Sequence, residues 1–362
     1  MPHSALPLRH SFGFVAIALS LGLAACSSSD ESTATDSAAD AASDVATDAK
    51  AQDSTVADSS QEDTSKSDSS VDAGTDTNTE LDAGTDTSTE LDTGADSPDT
   101  SPESGTALTT IRVHYPAGSH AISFRGSVAP YDWDHSVPMT KGSDDTWTLT
   151  ITNLSSEILW KPLLDETWAR GPNYRVSPGQ TADIYPHFTT TAGSYSRAFE
   201  LSSKILNNTR GIWVYLPPTY LENSLVRLPI IYMHDGQNLF DPSASFSGQT
   251  WQVQQTMDTA AEDGTIAEAV IVGIENTSDR MNEYTPWSDP TWKTGGKGEL
   301  YLRLIVEELS PKINAEYRVL TDASHTAIIG SSLGGLMSSY AGVKYPNVFG
   351  MLGVLSPTTW WN

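Results

Sequence analysis

The segment Ile328-Ile329-Gly330-Ser331-Ser332-Leu333-Gly334-Gly335 holds a G-x-S-x-G string centred on Ser332. Such a string carries chemistry when it joins a buried strand to a helix. The glycines then permit a sharp turn that lifts the serine hydroxyl above the sheet, where it can attack an acyl carbon. Both halves of that context are present, with apolar Ala327-Ile328-Ile329 before the turn and a helix-compatible run from Leu333 to Lys344 after it. The first N–H groups of the new helix face any negative charge developing there, and the N–H of Leu333 is the expected first oxyanion donor. Activation of the serine is the missing half. Only 28 residues follow Gly334, and none is His, Asp or Glu. A serine without a base stays protonated and weakly nucleophilic.

A second oxyanion donor is expected from the loop after an earlier strand, and His234-Asp235-Gly236-Gln237-Asn238-Leu239-Phe240-Asp241 is that loop. Gly236 allows close backbone approach, and the N–H of Gln237 is the candidate donor. His325 opens the strand leading to Ser332, so about seven extended residues, roughly 20 Å, separate the two. His234 is nearer, but a structural role in its own loop is expected of it. No cluster of metal ligands appears, and no cofactor is implied.

These residues need elements to hold them. From Ala198 onward, strand candidates alternate with helices: Ala198–Leu201, Gly211–Leu216, Pro229–Met233, Ala269–Ile274, Thr326–Ile329 and Phe349–Leu355 with helices over 250–261, 299–317 and 333–344. Ile230-Ile231-Tyr232-Met233 and Ala269-Val270-Ile271-Val272 are continuous apolar runs, as strands buried on both faces require. Alternation of this kind predicts a doubly wound, mainly parallel sheet. Upstream, Ile111–Tyr115, Ala121–Arg125 and Thr146–Ile151 alternate with period two, and Ile158–Lys161 is a fourth strand candidate. An all-β sandwich over 107–190 follows. Of its tryptophans, Trp147 and Trp160 suit a core, whereas Trp133 and Trp168 stand near Asp, Gly and Pro and are expected to be exposed.

The net charge of −26 is uneven. Residues 27–106 hold 21 of the 46 carboxylates against Lys50 and Lys66 alone, a net of −19, which leaves −7 for the rest. With no basic patch to neutralise phosphates, nucleic acid is excluded as a partner. The tract over 26–106 is rich in Ser, Thr, Asp and Ala and carries a ten-residue repeat from Val71. It cannot bury enough apolar surface to offset its ordering entropy and is read as a disordered spacer, with a reach of roughly 50 Å or more. Before it, Arg9 and His10 precede the apolar run Phe12 to Ala25, an export signal too short to span a bilayer comfortably.

Leu23-Ala24-Ala25-Cys26 resembles the bacterial lipobox, in which the cysteine is lipidated after removal of residues 1–25. Ser27 at the next position implies outer-membrane sorting, so the membrane is an expected partner through the N-terminal lipid. Arg125-Gly126-Ser127, Tyr131-Asp132-Trp133-Asp134 and Thr146-Trp147 loosely resemble starch-binding-type and immunoglobulin-like modules, which makes Trp133 and Trp168 candidate sugar contacts.

Over 199–362 the resemblance is close. Met233-His234-Asp235-Gly236-Gln237-Asn238-Leu239-Phe240, Gly273-Ile274-Glu275-Asn276, Glu283-Tyr284-Thr285-Pro286-Trp287 and the elbow all look like the putative-esterase family of α/β-hydrolases. The resemblance implies an α/β-hydrolase domain over 195–362, with Ser332 as nucleophile and Gln237 and Leu333 as oxyanion donors of a carboxylic-ester hydrolase. Its substrate would be a small-molecule or polysaccharide ester. Arg280 and Glu283-Tyr284 match as a structural loop near the site. The family order places an acid and a His after the elbow, so the sequence is expected to be a fragment, inactive by itself, with both groups beyond Asn362. A catalytically silent carbohydrate-binding lipoprotein and a sugar acyltransferase are the competing readings. Oligomeric state is not legible.

Overall fold

The computed structural model describes residues 108–361. The signal segment, Cys26 and the acidic tract lie outside the described residues.

Residues 109–184 form two sheets. In one, Thr109–His114 pairs antiparallel with Thr146–Ile151 and parallel with Thr181–Ile184. In the other, Ile122–Gly126 and Ile158–Leu164 pair antiparallel at its centre. Alternation explains both: Ile111, Val113, Phe124, Trp147, Trp160 and Val176 meet in one apolar cluster, and the intervening residues face outward. The short strands Val137–Pro138, Thr140–Lys141, Tyr174–Val176 and Thr181–Ile184 have no sequence signal of their own and form by completing these ladders.

A six-stranded sheet comes next: β1 (Ser194–Ser203), β2 (Asn208–Leu216), β3 (Ile230–His234), β4 (Val270–Ile274), β5 (Thr326–Ser331) and β6 (Met351–Leu355). Their spatial order is β1-β2-β4-β3-β5-β6. β3, β4, β5 and β6 run parallel, while β1 and β2 form an antiparallel hairpin that joins β4 antiparallel. The parallel expectation therefore holds for four strands and not for the first two, whose short connecting turn leaves no room for a crossover helix. Both faces are covered. Ile230 and Tyr232 join Val270 and Val272 on one face with Tyr301, Leu304, Ile305 and Met337. Met233 and Ile271 join Phe240, Val253 and Met257 on the other.

Three helices bear on the site and its supports: α1 (Pro218–Glu222), α2 (Val253–Glu262) and α3 (Leu333–Lys344). The predicted helix over 299–317 is not uniform. It is α-helical over Gly298–Arg303, π-helical over Leu304–Leu309 and α-helical again over Ser310–Glu316. Pro311 supplies no N–H, and Ser310 N–H reaches back to the Ile305 carbonyl, so the ladder loosens ahead of the proline.

The two regions meet through α1. Glu222 accepts hydrogen bonds from the N–H groups of Phe188, Thr189 and Thr190 at 2.6, 2.9 and 2.7 Å and from Tyr115 Oη at 3.0 Å. Asn223 Nδ2 donates to the carbonyls of His114 (2.8 Å) and Pro186 (3.0 Å). Both side chains thus saturate backbone that a linker would otherwise leave to water.

Candidate active site

Because β3 to β6 run parallel, the segments after them gather at one edge of the sheet, where open α/β folds place their sites. His234–Asn238 lie at the end of β3, Glu275 and Asn276 after β4, Ser332 after β5, and Ser356–Thr358 after β6.

Ser332 is solvent-exposed and adopts φ 57° and ψ −120°, a strained conformation for a residue with a Cβ. Its backbone is held on both sides. Ser332 N–H donates to the Leu355 carbonyl at 3.0 Å, and its own carbonyl accepts from Thr358 N–H at 3.1 Å and from Leu336 N–H at 3.1 Å. Leu333 is the first residue of α3, so its N–H is one of the donors an α-helix leaves without an intrahelical partner. The Ser332 hydroxyl is therefore presented beside an available donor. Its partner is Thr358 Oγ1 at 3.2 Å, a contact without a sequence signal because 26 residues separate the two.

Gln237 lies in the 3-10 turn Gly236–Asn238, which Asp235 enters with φ 56°. Gly236 is required there: a Cβ at that position would stand 2.5 Å from the Gly273 carbonyl carbon and 2.6 Å from Ile274 N. The loop is braced at several points. Asp235 forms a bidentate pair with Arg280 (Nε–Oδ1 2.7 Å, Nη2–Oδ2 2.8 Å) and accepts from Asn276 Nδ2 at 2.6 Å. Asp235 N–H donates to Tyr284 Oη at 3.1 Å, and Gln237 Oε1 accepts from Asn276 N–H at 3.2 Å. Arg280 also lies over the Tyr284 ring at 4.8 Å. Beneath this layer Arg210 and Glu283 form a fully buried pair with both oxygens at 2.9 Å from Nη2. Asn208 Nδ2 (2.6 Å) and Thr277 Oγ1 (3.2 Å) complete it. Glu283 stands out in the sequence as part of the structural loop, but its partner Arg210 is marked only as a charged residue ahead of the apolar run of β2.

His234 is buried, with Nδ1 3.0 Å from Tyr301 Oη and Nε2 without a hydrogen-bond partner. Burial pushes its pKa down to about 4, so the ring is neutral near pH 7. It makes no hydrogen bond to Ser332. His325 is bonded to Asp322 ahead of β5, at the opposite edge of the sheet. Among the described residues, then, no histidine is paired with Ser332, and no group of His, Cys, Asp and Glu is arranged to hold a metal ion.

Trp133 and Trp168 sit together on the first region, ring centroids 6.0 Å apart, with Arg125 5.2 Å from the Trp168 ring. Trp168 is 37% exposed. Trp133 is half-buried rather than exposed, because its ring packs on its neighbour. Trp147 and Trp160 are both core residues.

Comparison with known proteins gives a match over part of the chain. Residues 203–362 match the family described as "Putative esterase". The uncharacterized protein YbbA of Bacillus subtilis is 34% identical over 157 residues, 42% of this chain and 58% of that one. The iron(III) salmochelin esterase of Escherichia coli O6:H1 is 28% identical over 186 residues, 50% of this chain and 40% of the other. Among solved structures, an IroE-like serine hydrolase from Shewanella oneidensis is 26% identical over 46% of this chain and 51% of its own, with a TM-score of 0.38. The chain thus spans under three-fifths of the length of these relatives. Residues 203–362 are thus similar in sequence to the "Putative esterase" family, and they fold around a six-stranded, mainly parallel sheet.

Proposed function

We propose that this protein is a serine carboxylic-ester hydrolase acting on a small-molecule ester, exported and anchored through lipid on Cys26. The observation that carries the reading is Ser332, exposed on a strained strand-to-helix turn beside the orphan N–H of Leu333. Relatives named as iron(III) salmochelin and iron(III) enterobactin esterases support the choice of ester and of a small molecule.

In this mechanism Ser332 Oγ attacks the acyl carbon and the carbonyl electron pair moves onto oxygen. The N–H groups of Leu333 and Gln237 stabilise that oxyanion, each worth about 3–4 kcal/mol when preorganised. Collapse expels the alcohol, and water then releases the acid from the acyl-enzyme. The Ser332 proton needs a base, and among the described residues His234 is committed to Tyr301 and no histidine is bonded to the serine. A serine without a paired base is slow, on the order of 10⁶-fold below an equipped serine hydrolase.

The test is hydrolysis of p-nitrophenyl esters together with fluorophosphonate labelling, read by mass spectrometry of the Ser332 peptide. Esterase activity or labelling that survives Ser332→Ala sinks the reading. For the anchor, Cys26→Ser moves the protein from the membrane to the soluble fraction and abolishes palmitate incorporation; no change in either removes the lipid from the proposal.

A further inference from the structure

Downstream of the Gln237 turn the chain treats its large apolar residues in two opposite ways. Leu239 and Phe240 are buried beneath the loop, whereas Phe246, six residues on, is 95% exposed. A ring left in water forfeits the free energy that burial returns. An isolated exposed side chain on a slack loop needs no explanation, but this loop is braced. Asp241 Oδ1 accepts from Ser243 N–H and Oγ, both at 2.8 Å. The N–H groups of Ala244 and Ser245 return to the Asp241 carbonyl at 3.1 and 3.2 Å, and Gly248 N–H to the Ser245 carbonyl at 3.2 Å.

The tip is then fastened to one residue. Phe246 N–H donates to Asn238 Oδ1 at 3.1 Å, and Ser245 Oγ donates to the same oxygen at 3.3 Å. Trp251 N–H closes the loop on the Asn238 carbonyl at 2.9 Å. Asn238 directly follows Gln237. One hydrogen bond and one amide side chain therefore separate the backbone of Phe246 from the candidate oxyanion donor, a span of no more than about 12 Å. The strand end that leads into this turn lies against the elbow, where a Cβ added to Gly334 would stand 3.2 Å from His234 Cβ, so an ester held at Ser332 would lie near this loop.

We propose that Phe246 is a specificity-determining residue whose ring receives a large apolar group of the ester bound at Ser332. The inference rests on the esterase reading and adds to it the residue that selects the substrate. Asn238 is the positioning residue that fixes the ring relative to the oxyanion turn. Small esters reach Ser332 without touching Phe246.

The test compares the full chain with Phe246→Ala and Phe246→Leu on methyl phenylpropanoate and methyl acetate, monitored by pH-stat. In parallel, benzylacetone, a ketone analogue of the acyl part that cannot turn over, is titrated by ligand-observed NMR. Phe246→Ala is expected to lower kcat/KM for the phenylpropanoate roughly tenfold and to raise the benzylacetone Kd by a similar factor. Methyl acetate stays within about twofold, and the leucine variant retains most of the selectivity. An equal fall for both esters, or a benzylacetone Kd unchanged in Phe246→Ala, overturns the inference. A wild-type chain that turns over neither ester is the result expected where no base is paired with Ser332, and the benzylacetone comparison alone then decides the role of Phe246; turnover of either ester that survives Ser332→Ala overturns the esterase reading instead.

Discussion

The imidazole of His234 is packed against Gly330, so closely that a Cβ added to the glycine would stand 2.5 Å from His234 Cδ2. The same Cβ would meet the backbone of Gly334 at 2.6 and 2.7 Å. The first glycine of the elbow is thus fixed by the end of β3 as much as by the turn itself. Gly330→Ala must displace either a buried ring or helix backbone, an overpacking cost of about 1–3 kcal/mol. The expected result is a Tm lower by roughly 3–10 °C in calorimetry. An unchanged Tm refutes the close contact.

His234 also makes stability depend on pH. Burial holds its pKa at about 4, below the ordinary 6.5, so the unfolded chain binds a proton that the folded chain refuses. Stability from this group is complete above about pH 6.5 and falls as the pH drops toward 4, by on the order of 3 kcal/mol over the window. Asp235, Arg280, Tyr284 and Tyr301 are the polar groups around the ring. His234→Asn removes this titration, and its chemical-denaturation free energy falls less than that of wild type between those two pH values, the remaining slope coming from groups such as His187, whose pKa burial also lowers. A slope equal to wild type assigns the effect elsewhere.

Glu222 acts at lower pH and in a different place. Burial alone would raise its pKa, but the N–H groups of Thr190, Phe188 and Thr189 together hold it down at about 2. Since the folded pKa lies below the ordinary 4.5, the stabilisation is present above about pH 4.5 and is lost as the pH falls toward 2. Glu222→Gln is expected to be less stable than wild type at pH 7, with the difference closing across that lower window. Hydrogen exchange of the amides of residues 188–190 checks the location: faster exchange confined to them is the expected signature.

How much of this could be read in advance depends on the range of the interactions. The strand Thr146–Ile151 and the helix Leu333–Lys344 are legible to the residue because alternation and a G-x-S-x-G turn are local signals. Ser332 and the Asp235–Asn238 turn belong to that local class. What escapes the sequence is long-range. Thr358 meets Ser332 across 26 residues, and Arg210 meets Glu283 across 73. The antiparallel placement of β1 and β2 depends on which edge of the sheet stays open, and the π-helical stretch depends on packing around Pro311. None of these has a periodic signature.

Arg280 reaches the candidate oxyanion turn only through Asp235. Its two nitrogens engage both carboxylate oxygens at 2.7 and 2.8 Å, and the pair sits one residue before Gly236. Asp235 occupies a left-handed conformation, which is uncommon for a residue with a side chain and persists only where its surroundings impose it. Removing the guanidinium leaves the carboxylate with Asn276 and the turn free to relax, which moves the Gln237 N–H off the oxyanion position. Arg280→Ala is expected to lower kcat roughly 10- to 100-fold with little change in KM, because the donor matters most once charge has developed. Arg280→Lys recovers only part of the loss, since an ammonium cannot reproduce the two-pronged contact. A rise in KM with kcat unchanged contradicts the assignment and places Arg280 in substrate binding instead.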